Sequence, residues 1–186
     1  MWDNGRTPTV VIEHGVTDPG DLWRGELARG ITVINHLAHR GRRLGADLYA
    51  RARDCVPLDL AGMGSNTFGG LGDLPLHALP ALCARYRFFF HPARYTSLGL
   101  GLIEAMMLGM PVVALATTDT TNAIENGISG YIDTCPDRLH ERMHELLRHH
   151  RIAAQIGACA RERALDRYGI GRFIADWNTV LRRVTA

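Results

Sequence analysis

Residues 94–115 read RYTSLGLGLIEAMMLGMPVVAL. Gly99 and Gly101 stand one residue apart and lead into a segment of helical character that carries Glu104 in its first turn. Amides at a helix start lack intrahelical acceptors, the helix dipole favours negative charge there, and glycine lets an anion approach the backbone. A carboxylate close behind such a start has two readings. It stabilises the helix through the dipole, or it accepts hydrogen bonds from hydroxyls, such as a ribose diol, beside a phosphate held by the glycines. Upstream, Arg40, Arg42 and Arg43 cluster in HRGRR, either to grip the same phosphate or as a solvated helix start.

Other patterns compete for attention. His140, Glu141 and His144 fit H-E-x-x-H, the spacing that sets two imidazoles on one helical face around zinc, and His150 falls where a third ligand belongs. The glycine that turns such a chain back to the metal is replaced by Leu147, and Leu139, Met143, Leu146 and Leu147 form a core stripe instead. The G-x-G pairs at Gly62–Gly64 and Gly99–Gly101 lack the third glycine of a dinucleotide fingerprint. His91 ends an aromatic run and precedes Pro92; it reads as a ligand contact or as a hydrogen-bonded boundary residue. Met106, Met107 and Met110 suit core filling, as do Phe173 and Trp177 four residues apart on the last helical segment.

The elements that must position these residues alternate in kind. Short β-branched or aromatic runs at residues 9–13, 31–35, 58–61, 87–90, 112–116 and 131–133 read as strands. Helical periodicity lies between them at 43–53, 76–85, 101–108 and 137–149, and two further helices, 152–167 and 170–184, close the chain. The alternation predicts an α/β fold, a doubly wound and mainly parallel sheet flanked by helices, with its ligand at the carboxyl ends of the strands. The expectation is one domain over residues 1–186, since 46% hydrophobic content supports a sizeable core.

Composition narrows the classes further. No run approaches the roughly 18 apolar residues that cross a bilayer, and the N-terminal residues lack signal-peptide character, so the expected location is the cytoplasm, compatible with peripheral membrane contact. A net charge of +2 argues against nucleic acid as a partner. All 21 basic residues are arginine, so cationic chemistry here falls to guanidinium. Cys55, Cys83, Cys135 and Cys159 form no Cys-x-x-Cys pair and read as free buried thiols.

Read together, HPARYTSLGLGLIEAMMLGMPVVA, NAIENGISGY and ARERALDRYGIGRFIADW resemble the C-terminal, donor-binding half of GT-B glycosyltransferases, particularly the large retaining family 4. The Glu-Ala-Met and Gly-x-Pro-Val-Val pair carries the resemblance most strongly, and it extends over about residues 10–177. The resemblance implies a Rossmann-like half that binds a nucleotide-diphosphate sugar as donor substrate, with no separate cofactor and no bound metal. Glu104 would accept the ribose hydroxyls; Leu98, Gly99 and Leu100 would present amides to the diphosphate or sugar; Arg40, Arg42 and Arg43 would neutralise the diphosphate. His91, read from its place at the strand end, stays a candidate donor contact beside them.

The chain departs from that pattern in three places. Thr96 stands eight residues before Glu104, where the family usually has a second glutamate. Thr120 and Thr121 replace a common Gly-Gly, which predicts a narrower loop facing the donor. The stretch from Gly62 to Ala81 is shorter than usual. The segment VVIEHGV resembles the entry into the C-terminal half, so the acceptor-binding N-terminal domain is expected on another domain or chain. The implied reaction is transfer of the sugar to an acceptor of unknown identity; the alternative is a non-catalytic nucleotide-sugar-binding remnant or interaction subunit.

Overall fold

The structure, a computed structural model, describes Gly5 and residues 9–185. Among these residues a five-stranded parallel sheet is built from β1 (Leu27–Val33), β2 (Leu58–Ala61), β3 (Tyr86–His91), β4 (Val112–Leu115) and β5 (Tyr131–Asp133). The spatial order is β2-β1-β3-β4-β5, with every pair parallel. The chain leaves β1 toward β2 on one side and then crosses to β3 on the other, so the topological switch point lies between β1 and β3.

The strands read as near-continuous apolar runs because both faces of the sheet are covered. β3 shows why. Its six residues, YRFFFH, are all buried, and successive side chains enter opposite layers. Phe89 packs with Ile31 and Val112 in a core that also takes Leu102, Ile103 and Met106 from α4 (Leu100–Met107) and Ala160, Ala164 and Tyr168 from α7 (His150–Tyr168). Phe88 and Phe90 join the opposite core, with Leu48, Tyr49 and Ala52 of α2 (Ala46–Cys55) and Leu139, Met143 and Leu146 of α6 (Pro136–Arg148). Three layers result, helices on each side of a doubly wound sheet, as the alternating pattern led us to expect.

Some elements differ from the sequence reading, each for a local reason. Residues 9–13 form no strand. Val10 and Val11 are exposed, and the segment is held by guanidinium groups rather than a ladder: Arg167 pairs with the Glu13 carboxylate, and Arg172 donates to the carbonyls of Glu13 and His14. The only bridge there joins Val16 to Gly169. β1 starts four residues earlier than expected, because Gly30 fits where Phe88 and Leu58 leave no room for a Cβ.

The helix expected at 43–53 begins only at Ala46. Before it, α1 (Leu37–Arg40) and a 3-10 turn at Gly41–Leu44 place Arg40, Arg42 and Arg43 in a tight corner, and Gly45 adopts φ 78°. The helix expected at 76–85 is a 3-10 turn at Leu76–Ala78 followed by the short α3 (Leu79–Cys83), with Pro80 at its start. After β4 comes α5 (Thr120–Ala123), and α8 (Ile170–Thr185) closes the chain with no buried residue. Of the four cysteines only Cys83 is buried; Cys55 is exposed.

Candidate functional site

At the carboxyl end of β1 the switch point opens into a cleft of about 350 Å³. Val33 ends β1 at its wall, Phe89 of β3 and Cys83 and Leu79 of α3 line its apolar side, and Leu100, Gly101 and Glu104 of α4 face it. The segment Gly15–Thr17 closes a further side. The surface is mostly apolar with one carboxylate in it.

That carboxylate has an unusual environment. α4 begins at Leu100, one residue earlier than expected, so Glu104 stands in the second turn, where the helix dipole gives little return. Burial raises its carboxyl above the usual range. Among the described residues no donor bonds to it and no cation pairs with it. A half-buried carboxylate without a partner is disfavoured by desolvation and poised to accept hydrogen bonds from a ligand. The neighbouring Cys83 thiol is pushed up to about 12 by burial and by Glu104, so it stays protonated and behaves as apolar wall.

The start of α4 is equally open. The amides of Leu98, Gly99, Leu100 and Gly101 donate to no acceptor among the described residues. Gly99 adopts φ 93°, and a Cβ on it would lie 3.0 Å from the His91 ring. Glycine is therefore required twice over, by conformation and by contact. Leu98 turns its side chain into the core, leaving only its amide for a ligand, whereas Leu100 is 53% exposed at the cleft. His91 is 6% exposed and stacks on Phe89; burial lowers it to about 4, so the imidazole is neutral near pH 7. Among the described residues its Nε2 has no hydrogen-bond partner, which in a buried ring calls for an explanation.

The arginine corner is joined to the same end of the sheet by a residue that sequence reasoning missed. Arg94, in the loop after β3, donates to both oxygens of Asp47, at 2.6 and 2.9 Å, and to the carbonyl of Arg42 at 3.0 Å. This fork holds the Asp47 carboxyl below its usual range. The amides of Arg94 and Tyr95 both donate to the carbonyl of Arg43. The signal was a lone arginine after His-Pro-Ala, whose partner lies far back in the chain. Arg42 bonds weakly to Asp47 at 3.4 Å, and Arg40 and Arg43 are exposed, with no side-chain bond among the described residues. The structure thus sets Leu100, Gly101 and Glu104 in the cleft and Gly99 against the His91 ring, with Arg40, Arg42 and Arg43 on the segment after β1.

Two further residues resolve differently. Thr96 is half-buried in the loop after β3, which is tied to the next loop by Asp119 N to Ser97 O and by Thr117 Oγ1 to Ala93 O. Thr120 does not narrow the cleft. It is fully buried, its hydroxyl donating to Leu115 O or Thr117 O and accepting from Thr117 N, so it fastens the turn after β4.

Fold and site place the chain among doubly wound α/β domains of Rossmann type. The family Glycosyl transferases group 1 matches residues 64–163, more than half of the chain, and the chain belongs to that family. No curated protein sequence matches it. Among solved structures, sucrose-phosphate synthase from Thermosynechococcus elongatus aligns with a TM-score of 0.76 at 17% identity, over 94% of this chain and 52% of that one. Anabaena HepE in complex with UDP gives 0.71 at 18% identity, over 83% and 48%. S. aureus TarM, with UDP, fondaparinux and α-GlcNAc-glycerol, gives 0.69 at 16% identity, over 91% and 37%. At such identities the likeness shows the fold. The chain spans only about a third to a half of the length of these structures.

Proposed function

We propose that this chain is the donor-binding half of a glycosyltransferase, holding a nucleotide-diphosphate sugar at the start of α4. One observation carries the reading: four successive amides, Leu98 to Gly101, stand without acceptors beside the unpartnered carboxylate of Glu104. The amides and helix start suit the diphosphate, and the carboxylate suits the ribose hydroxyls. Neighbours of the same fold were solved with UDP, which supports a nucleotide donor. His91, neutral and unpartnered at Nε2, is assigned to the donor across Gly99, while Thr96 offers a hydroxyl to the sugar.

In the reaction the bond between the anomeric carbon and the diphosphate oxygen breaks, and its electron pair stays on the departing diphosphate. An acceptor hydroxyl oxygen bonds to that carbon and passes its proton to the departing diphosphate. This chain's part is electrostatic: preorganised amides, together with Arg40, Arg42 or Arg43, stabilise the charge that grows on the leaving group. Retention of configuration, membership of family 4 and placement as a C-terminal half rest on the sequence resemblance, and a cytoplasmic location on composition.

A second domain or chain would supply the acceptor side. The length of the neighbours supports this, as does α8, where Ile170, Ile174, Trp177, Leu181 and Val184 leave an apolar stripe exposed. α8 reaches the cleft wall through Phe173, which packs on Gly15. A second reading, a donor-binding module without catalysis, is favoured by Thr96, which supplies no charge where a glutamate is usual. Donor hydrolysis by this chain joined to a Rossmann-like partner separates the two.

The donor reading itself is tested by calorimetric titration of nucleoside diphosphates into wild type and Glu104→Ala. The variant is expected to bind at least about tenfold more weakly with an unchanged melting temperature. Equal affinities would remove Glu104 from the site.

A further inference from the structure

One wall of the cleft has no ladder to hold it. Residues 9–26 form neither helix nor strand, and among the described residues the one bridge of this segment joins Val16 to Gly169. Yet Gly15, Val16, Thr17 and Pro19 line the cleft that contains Glu104. A segment with so few backbone partners keeps one position only where side chains fasten it.

The fastening is a guanidinium from α7. Arg161 donates to both carboxylate oxygens of Asp18, at 2.7 and 2.8 Å, and its Nη1 donates as well to the carbonyl of Met107 at the end of α4. The planar fork meets the carboxylate with two arms, which the point charge of lysine cannot copy. Asp18 is preset for the contact: its Oδ1 also accepts from Gly20 N at 2.8 Å, and its carboxyl is held below the usual range, first of all by Arg161. The backbone makes room for the arm. Gly109 adopts φ 81°, and a Cβ on it would lie 2.9 Å from the Asp21 carboxylate and 3.8 Å from Arg161 Cδ. A Cβ on Gly157 would lie 2.0 Å from the Gly109 carbonyl, so α7 runs hard against the end of α4.

Helix ends leave carbonyls open, and a cation there meets the negative end of the dipole. At the end of α4, Met107 O is taken by Arg161 and Leu108 O by Trp23 N at 3.0 Å. One side chain thereby ties α4, which brings Glu104, Ala105 and Leu108 to the cleft, to the segment that brings Thr17 and Pro19.

We propose that Arg161 is a positioning residue for the cleft: bound to Asp18 on one side and to the end of α4 on the other, it holds the wall of residues 15–19 against the helix that carries Glu104 and keeps water from that carboxylate. What the cleft holds rests on the donor reading above; the clamp does not. Burial is the cause of the raised Glu104 carboxyl, so the titration of that group reports where the wall stands. The other titratable group among the lining residues is Cys83 of α3, whose thiol stays protonated throughout the acid range.

The Glu104 carboxyl is titrated by carbon NMR in wild type, Arg161→Lys, Arg161→Met and Asp18→Ser, its signal assigned by its loss in Glu104→Gln. Serine keeps a hydroxyl for Gly20 N, is too short for the fork and leaves the cap on Met107 in place, so this variant carries the test where Arg161→Met fails to fold. Glu104 is expected to titrate above the ordinary glutamate range in wild type and to move down toward that range in Arg161→Met and Asp18→Ser, with Arg161→Lys between. For UDP, ADP or GDP, whichever wild type binds, the same variants are expected to lose about threefold or more in affinity. A merely structural arginine would lower the melting temperature and leave the Glu104 titration where it was. That result, an upward move, or a wild-type titration in the ordinary range overturns the proposal, as does undiminished nucleotide affinity in a variant whose titration has moved. If the titration moves down and wild type binds none of the three nucleotides, the donor reading fails and the clamp stands.

Discussion

Glu104 is the residue on which the proposed donor site turns, and its titration gives a signed consequence. Burial raises its pKa, so the folded state favours the protonated form; the associated stability is present below the unfolded value and is lost as pH rises through the folded one. Glu104→Gln should therefore be at least as stable as wild type near neutrality. Nucleotide binding as proposed has the opposite sign, because ribose hydroxyls would donate to the ionised carboxylate. The affinity advantage of wild type over Glu104→Gln is expected to shrink as pH falls, beginning at a higher pH than an ordinary glutamate would give. Paired titrations across the acid range check this, and a constant ratio would contradict it. Gly99 and Glu104 were legible as candidates because glycine, helix start and carboxylate lie within a few residues of one another, and His91 because it ends an aromatic run. The left-handed turn at His36 was not: a positive φ leaves no mark on a sequence when the residue is not glycine, and the Met63 carbonyl that accepts from its amide comes from another loop.

At the scale of elements, β3 and α6 are joined by a charge that no periodicity announces. Arg87 is buried among the phenylalanines of β3 and donates to the carbonyls of Leu146 and Leu147 at the end of α6, and to Gly25 O. Desolvation lowers its pKa, yet the guanidinium completes the open C-terminus of a helix and meets its negative dipole end. Arg87→Met is expected to cost about 2–3 kcal/mol by stranding those carbonyls, measured by urea unfolding. A change below about 0.5 kcal/mol, the ordinary range of surface substitutions, would show that the cap is dispensable. The five strands were readable from apolar runs, since burial on both faces leaves a local signature. The run at 9–13 carries the same signature without a strand, because β-propensity needs an adjacent ladder and the guanidinium groups of Arg167 and Arg172 hold that segment instead. Arg87 and Arg94 act across about sixty and fifty residues of sequence, and such partners become visible only in the fold.

For the molecule as a whole, doubly wound topology and the position of the cleft come from one fact, the reversal of strand order at β1 and β3. There the end of β1, the start of α4, α3 and the segment Gly15–Thr17 meet around the cleft. In the proposed reading, the exposed apolar stripe of α8 and the greater length of the neighbours support a second body that would bring the acceptor. A crystal structure of the chain with a bound nucleoside diphosphate tests the central claim most directly. The expected result is ribose hydroxyls at about 2.5–2.7 Å from the Glu104 carboxylate and diphosphate oxygens within hydrogen-bond reach of the amides between Leu98 and Gly101. A nucleotide bound elsewhere, or bound with Glu104 turned to solvent, would contradict it.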